Sequence, residues 1–284
     1  MPLTITNQDI INYYDECESD YKLLWHLGEQ SALHYGFWKE DTRLLRDALR
    51  NMNDYVLGIL NLKPGNKYLD AGCGIGGTAM YACSKCNCSV HGISLSEKQI
   101  QTAKMKSAHK NLIGKADFSV QNFCNTSFES ASFEGIYGIE SICHAFDKKS
   151  FFNEAFRLLK PGGHLVVADF FESKHSMNPS EQKLMNNWAE SWAVPAFSNF
   201  ETFIQDAENI GLKLVENNNI SPAIQKTARR LYYCFFPGLV CHGFLRIFGL
   251  RKKTQGRNVW STYYQYKSLQ NKLWDYRVMK FVKI

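Results

Sequence analysis

The chain has 284 residues, 45% hydrophobic and 21% charged, which supplies a large core and leaves little sequence for a disordered tract. Nine cysteines, an odd number spread without a compact framework, argue against a secreted disulfide scaffold and for a reducing, cytoplasmic setting. The net charge is +6, but from Lys213 onward 14 Lys and Arg stand against Glu216 and Asp275 alone. That basic third suits an anionic membrane, a phosphate-bearing substrate or nucleic acid, or is simply a solvated face.

The opening residues MPLTITNQDI lack a basic start followed by an apolar run, so no secretory signal is expected. In residues 7–60 Tyr13, Tyr14, Tyr21, Leu24 and Trp25, then Leu44, Leu45 and Leu49, recur at helical spacing. With too few strands to fold alone, residues 1–60 read as an N-terminal helical lid. From Lys67 the pattern changes. Short apolar runs at 67–71, 89–93, 117–122, 135–139 and 164–169 alternate with helical stretches at 76–86, 96–109 and 148–159. Strands separated by helices predict an α/β, Rossmann-like, doubly wound and mostly parallel sheet. Lys160-Pro161-Gly162-Gly163 ends the third helix and turns into the next strand.

Beyond Asp169 the sequence predicts helices at 180–194, with Trp188 and Trp192 on one face, and at 199–210. A strand at 212–217, a mostly helical aromatic stretch at 222–274 and a last strand at 276–284 follow, bringing the sheet to seven strands. Residues 61–284 thus form one domain. Cap insertions at 172–198 and 221–274 are expected over the carboxyl ends of the strands, where such sheets bind ligands. The longest apolar window, Leu231–Leu245, contains Pro237, Gly238, His242 and Gly243 and is shorter than the ~18 residues of a spanning helix. Cys83, Cys86 and Cys88 make C-x-x-C-x-C with only His91 nearby as a fourth ligand, so a helix end and turn are expected there, and no metal.

The sharpest motif is Tyr68-Leu69-Asp70-Ala71-Gly72-Cys73-Gly74-Ile75-Gly76-Gly77, closing a strand and opening a helix. Gly72 and Gly74 let backbone approach a ligand, and the helix start points free N–H groups at it. Dinucleotide sites share that glycine pattern. Asp70 separates the two, because a carboxylate there repels a pyrophosphate and welcomes an ammonium. The motif resembles the donor-binding motif of class I S-adenosylmethionine-dependent methyltransferases, and the resemblance runs through residues 62–169, including Leu158-Leu159-Lys160-Pro161-Gly162-Gly163. It implies S-adenosylmethionine as cofactor, S-adenosylhomocysteine as product, and Asp70, Gly72, Cys73 and Gly74 in the donor site. Many such enzymes end the second strand in Asp or Glu. Here His91-Gly92-Ile93-Ser94-Leu95-Ser96, followed by Gln99, puts Ser94 in that place and resembles the branch of tocopherol methyltransferases and cyclopropane fatty acid synthases. Ser94 holds a ribose hydroxyl more weakly than a carboxylate would. Leu95 and Gln99 belong to the same cluster, and the resemblance puts Asn122 and Phe123 beside the adenine.

After the fourth strand, Glu140-Ser141-Ile142-Cys143-His144-Ala145 resembles the E-A-x-x-H-A stretch of sterol C-24 methyltransferases. A comparable Glu is the implied base of geranyl diphosphate C-methyltransferases. Such enzymes methylate an alkene and remove a proton, which implies Glu140 as base and His144 as the residue that orients it or shares the proton. The plainer alternative is a capping Glu and a loop histidine. Tyr13-Tyr14-Asp15, Tyr21, Trp25 and Leu33-His34-Tyr35-Gly36-Phe37-Trp38 resemble the N-terminal region of the sterol and tocopherol branch. This implies Tyr35 at the cofactor and Tyr14, Tyr21, Trp25 and His34 at the substrate, although aromatics at this spacing are commonly core. Trp188, Trp192 and Tyr263 are further substrate candidates. Arg229 and Arg230 would make either a basic mouth for a prenyl diphosphate or a dock on an anionic membrane.

The function expected is methyl transfer to a small, largely apolar acceptor, with C-methylation of an isoprenoid or lipid-like molecule leading. O- or N-methylation of a small natural product, an RNA or protein methyltransferase and a non-catalytic donor-binding regulator are the alternatives. No nucleic-acid module or N-P-P-Y-like motif favours RNA, so the expected partners are the apolar substrate and a peripheral membrane, without nucleic acid.

Overall fold

The computed structural model describes residues 5–24 and 31–284. Its strands are β1 (Lys67–Ala71), β2 (Ser89–Ser94), β3 (Ala116–Val120), β4 (Phe133–Ile139), β5 (Leu159–Glu172), β6 (Ser198–Asn199), β7 (Leu212–Asn219) and β8 (Trp274–Lys283). Seven of them form a sheet in the order β3-β2-β1-β4-β5-β8-β7, and β6 pairs beside the end of β5. β1 to β5 run parallel, while β8 runs antiparallel to both β5 and β7. This is the α/β Rossmann-like architecture. The strand order reverses between β1 and β4, and the crevice beyond their carboxyl ends is where such a sheet takes a ligand.

The central strands read as near-continuous apolar runs because helices cover both faces. Alternate residues go to opposite cores: Tyr68, Val166 and Val278 join one cluster, and Leu69, Val167 and Met279 join the other. The first cluster packs α2 (Leu45–Leu60), α3 (Gly77–Cys86) and α4 (Glu97–His109) on the sheet. The second packs α5 (Lys148–Leu158) and α7 (Phe200–Ile210). The remaining helices are α1 (Asn7–Leu24), α6 (Pro179–Ser191), α8 (Ser221–Tyr233), α9 (Phe235–Ile247) and α10 (Lys253–Gln270). Asn178 and Glu181 form a capping box around Pro179 at the start of α6.

Three of the boundary differences from expectation have local reasons. β5 begins at Leu159, which pairs with Phe133 before the Lys160–Gly163 turn interrupts the ladder and His164 resumes it against Gly135. β3 ends at Val120, because Asn122 bridges to Asn125 in a tight turn. β8 begins at Trp274, whose partner is Glu172 at the far end of β5. Cys83 and Cys88 point their thiols at the carbonyls of Lys115 and Ala82, and among the described residues no cluster has the makings of a metal site.

Candidate functional site

One large cavity opens at the carboxyl ends of β1, β2 and β4, with about 1610 Å³ of empty space including its open mouth. Asp70, Gly72, Cys73, Gly74, Ser94, Leu95, Gln99, Asn122 and Phe123 line it, together with Tyr14, Tyr21, His34, Tyr35, Glu140, His144 and Trp192. Trp188, Arg229, Arg230 and Tyr263 do not. Trp188 is fully buried against Phe197 and Trp274, and Tyr263 packs on Phe235 and Tyr232. Arg229 is exposed and Arg230 half-buried, so the basic mouth is not formed. Trp25 lies outside the described residues.

The two motif glycines serve different ends. Gly72 adopts φ +94°, and a Cβ there would stand 2.3 Å from the Ser141 Cβ. It therefore lets the segment after β4 close on β1, where Ser141 Oγ donates to the Ala71 carbonyl. Gly74, at φ +53°, has nothing within 4 Å of such a Cβ and leaves open space beside the cavity.

Asp70 is buried at the end of β1 and accepts one hydrogen bond, from Tyr137 Oη at 3.0 Å. Burial pushes its carboxyl up to about 7. Among the described residues no cation neutralises it, so the site fits a ligand that brings a positive charge. Ser94 Oγ donates to Gln99 Oε1 at 2.7 Å, holding both at the end of β2. Ser96 caps α4 and donates to Asp15 Oδ1 at 2.7 Å, which ties α1 to the donor side of the cavity. Asp15 escaped the sequence reading as a site residue, although it closes the Tyr13-Tyr14-Asp15 segment.

Glu140 follows β4 with φ +52°, a left-handed conformation uncommon for a residue with a side chain. Its Oε1 accepts from the Tyr35 backbone N–H at 2.6 Å and from Tyr276 Oη at 2.8 Å. Oε2 is left to face the cavity. Burial raises the carboxyl well above its ordinary value and Asp169 adds to this, while the two donors pull it back. Tyr276, on β8, was not foreseen.

The expected Glu140–His144 pair does not form. His144 Nδ1 donates to the Ala193 carbonyl at 3.2 Å, so Nε2 is the acceptor, and Tyr14 Oη donates to it at 2.9 Å. Burial drives His144 down to about 4, so it is neutral near pH 7. It holds α1 over the cavity, and Tyr35 and Tyr276 orient Glu140. His34 is buried between the Tyr35 carbonyl and Asn53 and fastens the Tyr35 loop to α2.

A sheet of this order, with polar groups gathered at the ends of β1, β2 and β4, is the Rossmann-like fold of the S-adenosylmethionine-dependent methyltransferases. The chain belongs to the mycolic acid cyclopropane synthetase family, whose profile matches residues 3–235. It is 31% identical over 217 residues to a 2-methyl-6-phytyl-1,4-hydroquinone methyltransferase from Synechocystis sp., covering 73% of this chain and 66% of that one. It is 30% identical over 220 residues to squalene methyltransferase 2 from Botryococcus braunii, covering 74% of this chain and 55% of that one. The chain thus spans about half to two thirds of the length of the curated relatives it matches. A cyclopropane synthase from Mycobacterium tuberculosis shares the fold over 100% of both chains, with a TM-score of 0.81 at 18% identity.

Proposed function

We propose that the protein transfers a methyl group from S-adenosylmethionine to a carbon of a small, largely apolar isoprenoid or lipid-like acceptor. The observation that carries this reading is Glu140, a half-buried carboxylate held through one oxygen, sharing a cavity with Asp70 that no Lys or Arg lines among the described residues. Asp70 would meet the donor's ammonium, Ser94 and Gln99 its ribose, and Asn122 and Phe123 its adenine. S-adenosylmethionine, when bound, supplies an electrophilic methyl on a sulfonium. Glu140 Oε2 takes the proton that the methylated carbon centre must lose. Its raised affinity for protons suits it to act as a base. The faces of Tyr14, Tyr21 and Tyr35 steady positive charge on the acceptor. Relatives named for squalene and for a phytyl hydroquinone support an isoprenoid class.

The test is a labelled-donor assay on a cell extract split into lipid and aqueous fractions. S-adenosylhomocysteine is expected to form with the lipid fraction, and the label to partition into organic solvent. Label confined to polar metabolites, RNA or protein would overturn the reading.

We also propose that the protein collects its acceptor at a membrane surface. No helix among the described residues is long and apolar enough to cross a bilayer. On α9, however, Phe236, Val240, Phe244 and Ile247 follow one helical face and are 61–81% exposed. Exposed Arg246 lies on the same helix, exposed Lys252 and Lys253 follow it in the chain, and exposed Arg229 lies on α8 just before it, a composition that suits an interfacial helix on anionic lipid. Vesicles of phosphatidylcholine and phosphatidylserine should sediment the protein, and a Phe244→Ser, Ile247→Ser variant should bind at least about tenfold less, which corresponds to loss of two buried apolar side chains. Equal sedimentation of the variant, or binding to neutral vesicles alone, would contradict this.

A further inference from the structure

One wall of the cavity is a face of α10 carrying Asn258, Ser261, Thr262 and Gln265. Their spacing makes one stripe along the helix, and all four are polar in a chamber otherwise rich in aromatic side chains. Three have protein partners. Asn258 Oδ1 accepts from Tyr13 Oη at 2.8 Å. Ser261 Oγ accepts from Trp192 Nε1 at 2.8 Å and donates to the Asn258 carbonyl at 2.6 Å. Thr262 Oγ1 donates to the Val259 carbonyl at 2.7 Å.

Gln265 differs. Its side chain is 0% exposed, and neither Oε1 nor Nε2 meets a protein partner. The Tyr35 hydroxyl is in the same condition: 0% exposed, unpartnered and lining the same cavity. Trp192 links the two. Its ring centroid lies 6.5 Å from that of Tyr35, and its N–H is bonded to Ser261, one turn before Gln265. Buried polar groups without partners are costly and uncommon in folded proteins. Two of them in one ligand cavity call for a ligand that satisfies them.

We infer that Gln265, with the Tyr35 hydroxyl, is a subsite for a neutral hydroxyl on the acceptor. This rests on reading the cavity as the acceptor chamber. An amide both donates and accepts, and a hydroxyl does the same: the O–H donates to Oε1 and Nε2 donates to its oxygen. A pure hydrocarbon leaves the amide as it is, still unpaired. A diphosphate needs cations, and no Lys or Arg lines the cavity among the described residues. The subsite therefore selects an isoprenoid or lipid alcohol, a phenol included, over a hydrocarbon or a diphosphate, and it anchors the molecule by its polar end.

Three probes of one length test this on the full chain saturated with S-adenosylhomocysteine: farnesol, farnesene and farnesyl diphosphate, with binding measured by calorimetry. Farnesol should bind at least about tenfold more tightly than either of the others. Gln265→Leu should bring farnesol down to the level of farnesene, leave farnesene unchanged, and hold or raise the melting temperature, because an unpaired amide has been removed. Equal affinity for farnesol and farnesene, no binding of any probe, preference for the diphosphate, or a surviving alcohol preference in the variant would overturn the subsite. So would a lowered melting temperature, the sign that the amide serves the fold. Failure of the methyl-transfer reading is separate: no S-adenosylhomocysteine would form from any extract while the preference for farnesol stood.

Discussion

Glu140→Gln is expected to lower turnover by about a hundredfold or more, the usual cost of losing a general base, while donor affinity stays within about threefold. The substitution keeps the shape and the hydrogen bonds to Oε1 from Tyr35 and Tyr276, which an amide oxygen accepts as well. It also tolerates the left-handed backbone no worse than Glu does. What it removes is the negative charge and the basicity of the oxygen facing the cavity. A methylated alkene is cationic, and a nearby anion stabilises that charge in the transition state more than in the ground state. Because burial raises the Glu140 pKa, wild-type turnover should climb with pH as the carboxylate forms, and the variant should lack that limb. Stopped assays across pH, with donor binding measured in parallel, check both. Turnover within a few-fold of wild type would remove Glu140 from the chemistry, and a large loss of donor binding would move it to the cofactor shell.

Asp70→Asn should weaken donor binding by at least about tenfold, since an uncompensated buried carboxylate facing a cation is worth more than one pKa unit, or about 1.4 kcal/mol. Asp70 near 7 also gives that affinity a pH dependence. The cationic donor needs the ionised form, so affinity should rise between pH 6 and 8 in wild type and stay flat in the variant. The ligand-free protein should show the opposite trend in stability. The folded pKa lies above the unfolded value of 3.8, so the contribution is fully present below about 4 and is lost as pH rises through about 7. A variant that binds the donor as wild type does, or wild-type affinity that falls as pH rises, would contradict the assignment.

The sheet was legible because its strands are short apolar runs cut by Gly and Pro, and the donor motif because its glycines and Asp70 lie within eight residues of one another. The acceptor side was less so. Glu140 and His144 are four apart and would share a face on a helix, but the 3-10 turn begins only at Ile142, after Glu140 has already turned left-handed, and the two diverge. Trp188 and Trp192 are also four apart. α6 stops at Ser191, so Trp188 enters the core while Trp192 leaves the helix for the cavity. Tyr276 reaches Glu140 only because β8 lies antiparallel to β5, with Tyr276 opposite Phe170. That register joins residues 136 apart in the chain, and no local spacing announces it. Gln265 is hidden for a different reason. Its significance is a missing partner, which only three dimensions reveal.

Carbon methylation is decided by the acceptor atom that receives the methyl. The protein would be incubated with S-adenosylmethionine carrying a carbon-13 methyl and with the active lipid fraction, and the product examined by carbon NMR. An enriched methyl or methylene resonance bonded to carbon is expected, and it should be absent with Glu140→Gln. An enriched methyl bonded to oxygen or nitrogen would contradict carbon methylation.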